Sequence, residues 1–175
     1  MASERRTMTV PTRSAKSHKK SAGTPTIRLA TLDDLDALVA LEHAAFASDQ
    51  AERRAIRHAI RSASMSVLVA VDDEKEGAEV LVAAATLERR RGTRFSRLSS
   101  IAVSPTRIGR GLGTIMLQAA EEDARIHACA ALRLEVRADN GAGIRLYERH
   151  GYKRFAVIED YYEDGMEAWR YEKAL

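Results

Sequence analysis

The chain has 175 residues, 45% of them hydrophobic and 30% charged, with a formal net charge of +3. That length and composition predict one domain of about 150 residues with a sizeable core, plus a short extension. No apolar run approaches the ~18 residues of a membrane-spanning helix, and the single cysteine, Cys129, excludes an internal disulfide or a multi-cysteine metal site.

Charge separates the extension from the domain. Residues 1–25 hold six Lys or Arg against one acid, so residues 26–175 carry 22 basic and 24 acidic side chains, a net of −2. The segment 1–25 is rich in Ser, Thr, Lys and Arg and shows no apolar periodicity, which predicts a disordered basic tail. It lacks the apolar stretch of a secretory signal, and together with the lone cysteine this predicts a cytoplasmic protein with no membrane association. Weak contact of the tail with nucleic acid is the extent of any basic-partner reading, because the domain itself is slightly acidic.

Past the tail, "TIRLA" (26–30) reads as a strand. Thr31 then caps a helix with Asp34 at the N3 position, and Leu32, Leu35, Leu38, Val39, Leu41 and Phe46 recur at helical spacing. Asp49 is the expected cap of a second, basic helix, "AERRAIRHAIRS", with Ile56 and Ile60 as a narrow apolar stripe. The runs "MSVLVAVD" and "AEVLVAAATLERR" read as strands joined by the charged turn "DEKEG". A further strand, "RFSRLSSIAV", leads into a glycine-rich stretch. The helix after it is expected to bury Leu112, Ile115, Met116, Ala119 and Ile126. "ALRLEVRA" alternates with period two, and "GAGIRLYERHG" reads as a short helix. Two closing strands around "YYEDGMEAWRYE" complete the chain. The order β-α-α-β-β-β-α-β-α-β-β predicts an α/β domain over residues 26–175 with a mixed central sheet.

The glycine stretch "SPTRIGRGLG" (104–113) sits between a strand and a helix, where backbone N–H groups and the helix dipole favour phosphate. A Walker A loop would need Gly-Lys-Ser/Thr, which is missing. A dinucleotide fingerprint would need a third glycine, but the frames from Gly109 and Gly111 end on Thr114 and Met116. A tight turn that binds nothing and a pyrophosphate seat at the helix start both remain open from this segment alone.

The stretch "IAVSPTRIGRGLGTIML" resembles the acetyl-CoA-binding segment of the GNAT acyltransferases, V-x-P-x-x-R/Q-G-x-G-x-G/A, with Ile108 where that family has Arg or Gln. "LRLEVRADNGAGIRLYERHGYKRF" followed by "DYYEDGMEAWRYEKAL" is similar to the ribosomal-protein-alanine and protein N-terminal N-acetyltransferases within that superfamily. The resemblance covers roughly residues 26–175 and implies the GNAT acyl-CoA N-acyltransferase fold, acetyl-CoA as co-substrate and no metal. It implies that Gly109, Arg110, Gly111, Leu112, Gly113 and Thr114 receive the pyrophosphate. Ile101, Ala102 and Val103 would run beside the pantetheine arm and offer a backbone N–H to the oxyanion.

From pattern alone, Glu135 is a carboxylate on the outward strand face between Arg133 and Arg137. The resemblance makes it the general base. Tyr147 reads as an aromatic packed beside Ile144, and the resemblance makes it the general acid toward the departing sulfur. Asn140 is an N-cap for the helix at 141–150 and also matches a cofactor contact. Tyr161 and Tyr162 are either the entry to a hairpin or, by resemblance, the lining of the peptide-amine site.

An α-amine with pKa near ~8 is roughly a hundredfold richer in neutral form at neutral pH than a lysine near ~10.4. The expected acceptor is therefore a protein or peptide N-terminus, attacked directly in a ternary complex. The relatives' aromatic F-P-W loop is replaced here by Phe46-Ala47-Ser48. A small-molecule amine is the alternative acceptor, and a non-catalytic acyl-CoA-binding regulatory domain is the alternative class.

Overall fold

The computed structural model describes residues 24–73 and 79–175. The tail at 1–23 and most of the turn "DEKEG" lie outside the described residues.

The chain runs β1 (Thr26–Leu29), α1 (Leu35–Ala45), α2 (Arg53–Arg61), β2 (Met65–Asp73), β3 (Glu79–Arg89), β4 (Phe95–Val103), α3 (Leu112–Ile126), β5 (Ala131–Arg137), α4 (Gly141–Arg149), β6 (Lys153–Ile158) and β7 (Ala168–Ala174). This is the element order that the sequence predicts. The seven strands form one sheet in the order β1-β2-β3-β4-β5-β7-β6. Among the described residues only β4 and β5 pair in parallel, which makes the sheet mixed.

Period-two alternation divides the strands between two helical layers. Val67, Val69 and Val71 of β2 face α1 and α2, in a cluster with Leu38, Leu41 and Ala59. Leu68 and Ala70 face the other way and pack with Leu112, Met116, Leu117 and Ala120 of α3. Leu132, Leu134 and Val136 of β5 join that second layer, so Arg133, Glu135 and Arg137 emerge on the face toward the cleft. Cys129 also packs against the α3 layer, as a small residue after the helix end would.

The first helix begins as expected. The Thr31 side chain accepts from Asp33 N, and Asp34 accepts from Thr31 N at 2.7 Å, closing a capping box over a 3-10 turn. Asp49 does not cap α2, whose N-cap is Glu52 without a side-chain bond. Asp49 sits instead in a left-handed turn at φ 54, where its carboxylate accepts from Ser48 Oγ at 2.9 Å and lies 3.7 Å from Arg137.

Ile126 is also corrected: it is 72% exposed at the end of α3. The buried face of that helix runs through Leu117, Ala120 and Ala124, and it includes two acids. Glu121 is held by Lys173 Nζ at 2.8 Å and Tyr152 Oη at 3.1 Å, and Asp123 by Arg89 at 3.2 Å. Arg89, at the end of β3, is therefore largely buried with its partner. Polar residues satisfied by partners far along the chain are invisible to a hydrophobic periodicity.

Candidate active site

Two features of β4 build the site. Its pairing with β5 ends at Leu98–Leu134, and on its other edge a bulge inserts Ser99 between the Leu87–Leu98 and Thr86–Ser100 pairs. Ser99 Oγ bonds back to the Thr86 carbonyl at 3.1 Å. A bulge bends its strand and re-aims the residues beyond it, so β4 and β5 separate past Ser99. The gap opens into a cleft of about 650 Å³, walled by α1 and α2 on one side and by Ser99–Ala102 of β4 and Glu135–Arg137 of β5 on the other. Of the three strand residues expected beside the cofactor arm, Ile101 and Ala102 line this cleft, whereas Val103 pairs with Ala83 and packs toward α3.

The glycine stretch forms the turn into α3. Gly109 and Gly111 take φ of 83° and 78°, conformations that side-chain-bearing residues rarely adopt. Gly111 is the N-cap of α3, with no side-chain bond to the first-turn amides and no acid in that turn. The N–H groups at Leu112, Gly113 and Thr114 therefore lack side-chain acceptors, as an anion seat requires. Gly113 serves packing: a Cβ there would stand 3.3 Å from Leu146 Cδ2 of α4. Arg107 is tied to Asp72 at 2.9 Å. Ile108 is 72% exposed. Arg110 is exposed and has no ion-pair or hydrogen-bond partner among the described residues, so it is the side chain able to add charge where Ile108 cannot.

Glu135 points into the cleft with its side chain only 7% exposed. Arg97 Nε donates to it at 2.7 Å and Arg170 Nε at 3.2 Å. Arg97 also reaches Glu88 at 3.2 Å and donates to the Tyr161 hydroxyl at 3.0 Å. This arginine clamp is absent from any linear motif. Register creates it: β7 places Arg170 opposite Glu135, and the parallel pairing of β4 with β5 brings Arg97 alongside Arg133. A charged residue in an alternating strand is the only sequence signal for either arginine.

Tyr147 lines the same cleft from α4, half-buried, with its ring 5.9 Å from that of Tyr152 and 6.4 Å from that of Tyr171. Its hydroxyl has no hydrogen-bond partner among the described residues. Burial pushes its pKa up to about 12, with neighbouring Tyr162 adding to the rise, so the phenol is fully protonated at neutral pH. Asn140 caps α4, its Oδ1 accepting from Gly143 N at 2.9 Å, and also borders the cleft.

The tyrosine pair divides its work. Tyr162 lines the cleft beneath the Arg137 guanidinium, 4.7 Å from the ring centre, and burial raises its pKa to about 12. Tyr161 stands edge-on to it at 5.0 Å, outside the lining, and meets the site through Arg97. The pair follows β6 in the loop to β7, held there by Arg137–Asp164 contacts. Glu42 on α1 is a further cleft residue that no motif marks. Its Oε1 accepts from Ala51 N at 2.9 Å, and burial raises its pKa. Among the described residues no group of three or more His, Cys, Asp or Glu could hold a metal ion.

A parted parallel strand pair, an uncapped helix start and a carboxylate–phenol cleft together define the acyltransferase architecture that the motifs imply. Comparison with known proteins makes the assignment specific. The model of the acetyltransferase (GNAT) family matches residues 32–152, and the chain belongs to that family. It is 39% identical over 72 residues to the [ribosomal protein bS18]-alanine N-acetyltransferase of Escherichia coli, covering 40% of this chain and 49% of that protein. It is 37% identical over 60 residues to an N-alpha-acetyltransferase of Sulfurisphaera tokodaii, covering 34% and 36%. These matches span less than half the length of either relative. The crystal structure of the ribosomal-protein-S18-alanine N-acetyltransferase from Escherichia coli superposes with a TM-score of 0.73 at 26% identity, over 85% of this chain and 92% of that one.

Proposed function

We propose that the protein transfers an acetyl group from acetyl-CoA to the α-amine of a polypeptide N-terminus by direct attack within a ternary complex. The observation that carries this reading is the meeting of Glu135, Tyr147 and Tyr162 in one cleft, at the point where β4 and β5 part.

The cofactor's pyrophosphate would rest on the free amides at the start of α3, with Arg110 adding charge at the rim. Its thioester would reach the open edge of β4, where a backbone N–H of Ile101–Val103 can bind the carbonyl oxygen as it becomes an oxyanion. The amine nitrogen attacks the carbonyl carbon, and its proton passes to Glu135 directly or through water. Arg97 and Arg170 hold that carboxylate in place while leaving lone pairs free. As the C–S bond breaks, the sulfur takes the electron pair.

Tyr147 faces that event with a raised pKa of about 12, well above a simple thiol at about 8.5. Complete proton transfer to a relaxed thiolate is therefore uphill. The phenol acts by hydrogen-bonding the developing negative charge, which it can do throughout the neutral range. The names of the matched relatives and the Tyr161–Tyr162 loop support an N-terminal acceptor.

The test is a thiol-release screen with acetyl-CoA against N-terminal peptides, lysine peptides and small amines. Turnover confined to free peptide α-amines is expected. Turnover of small amines alone would move the protein to the small-molecule branch, and acetyl-CoA binding with no turnover on any amine would make it a binding domain.

A further inference from the structure

Helix α2 has two faces of opposite character. Ile56 and Ala59 turn inward and line the cleft, with the exposed Ala55 at its border. Arg54, Arg57, His58 and Arg61 are all exposed on the other side. Arg53 is paired with Asp36, but Arg54, Arg57 and Arg61 have no ion-pair partner among the described residues. The helix contains four arginines and no acid, within a domain of net charge −2. A single-sign patch on a domain of opposite sign concentrates potential that attracts a complementary partner. The surface is also shaped: a shallow depression of about 390 Å³ lies between Glu52, Arg54, Ala55 and His58.

We propose that this outer face of α2 docks an acidic segment of the acceptor polypeptide, a few residues beyond the amine held in the cleft. The inference rests on the polypeptide reading above. Spacing supports it: Arg54, Arg57 and Arg61 stand at i, i+3 and i+7, a span of about 10 Å along the helix. In an extended chain, same-side side chains repeat about every 6.7 Å, so two or three alternate Asp or Glu residues match that span. The outward residues include no Phe, Tyr or Trp ring on which successive bases could stack, His58 being the one small ring, so a polypeptide is favoured over single-stranded RNA. Ala55 borders both the cleft and this depression, so a chain that leaves the cleft over α2 passes next to these arginines.

The test uses the full chain and peptides that share their first three residues and carry Glu, Gln or Lys at alternate positions thereafter. The acidic series is expected to have a kcat/KM about tenfold above the neutral series, through KM, as three exposed ion pairs allow, and the preference should fade with added salt. The triple variant Arg54→Gln, Arg57→Gln, Arg61→Gln should abolish the preference, and the corresponding Lys triple should restore it. Equal kcat/KM for acidic and neutral peptides, or a preference that survives the Gln triple, would overturn the proposal. If no peptide is acetylated, the polypeptide reading fails on its own. Fluorescence anisotropy of a labelled acidic peptide then decides the docking claim, which stands if binding is lost in the Gln triple and falls if it is not, or if an RNA oligonucleotide of equal charge binds more tightly.

Discussion

Glu135 shows how much of a site can hang on residues that no motif contains. A carboxylate whose side chain is 7% exposed needs partners, and it has two arginine Nε donors from different strands. Removing either arginine should misdirect the carboxylate as well as unbalance its charge. Arg170→Ala is expected to lower kcat by about tenfold to a hundredfold with acetyl-CoA affinity unchanged, since a misplaced base loses most of the 10²- to 10⁴-fold that proton transfer contributes. Calorimetry beside steady-state kinetics separates those effects, and loss of affinity would assign Arg170 to cofactor binding instead. Tyr147→Phe should reduce kcat while leaving KM for the acceptor near its original value. Because the phenol's pKa is raised to about 12, it supplies no alkaline limb below about pH 10. A wild-type rate that falls between pH 8 and 9 and is flat in Tyr147→Phe would contradict that assignment.

At the scale of elements, the turn into α3 and the splay of β4 are the devices that matter. The two glycines with φ near 80° hold a backbone geometry that other residues rarely adopt, and at Gly113 a Cβ would crowd Leu146 Cδ2 at 3.3 Å. Gly111→Glu is expected to abolish acetyl-CoA binding by adding strain, bulk and negative charge where an anion should sit, and isothermal titration with acetyl-CoA checks it. Arg110→Ala should weaken binding by about threefold to tenfold in a salt-dependent way, as loss of one exposed charge does. Arg107→Ala should act on stability instead, because that side chain ties the turn to Asp72; an equal loss of affinity in both variants would remove the distinction.

The turn is legible in the sequence because glycines, a proline and a following apolar helix form a local signal. The alternation of "LRLEVR" likewise puts Glu135 on the open face by pattern alone. The bulge at Ser99 is not legible, since "RLSSIAV" reads as an uninterrupted strand and the extra residue exists only relative to β3. The expected Asp49 cap fails for a related reason. A residue suited to capping is taken by a tertiary contact to Arg137, over eighty positions away.

For the whole molecule, three layers with one mixed sheet follow from the order of apolar runs, whereas the polar interior does not. Glu121, Asp123 and Arg89 are buried or half-buried because Lys173, Tyr152 and one another satisfy them across the fold. The tyrosines give this interior a measurable signature. Tyr147, Tyr162 and Tyr171 each have folded-state pKa values raised to about 12 by burial, against about 10 in an unfolded chain. Between those values the folded state holds more protons than the unfolded one, so stability falls as pH rises. Urea midpoints are expected to stay level up to about pH 10 and drop between pH 10 and 12, with tyrosinate absorbance appearing on unfolding. Tyrosines that titrate near 10 in the folded protein would contradict the burial.

All of these features converge on one cleft, and Glu135→Gln probes it most directly. Thiol release from acetyl-CoA should be measured with an N-terminal peptide, alongside acetyl-CoA affinity, for the wild type and this variant. The expected result is a kcat reduced by about a hundredfold or more with cofactor affinity essentially unchanged. Undiminished turnover in Glu135→Gln would contradict the assignment of Glu135 as the base.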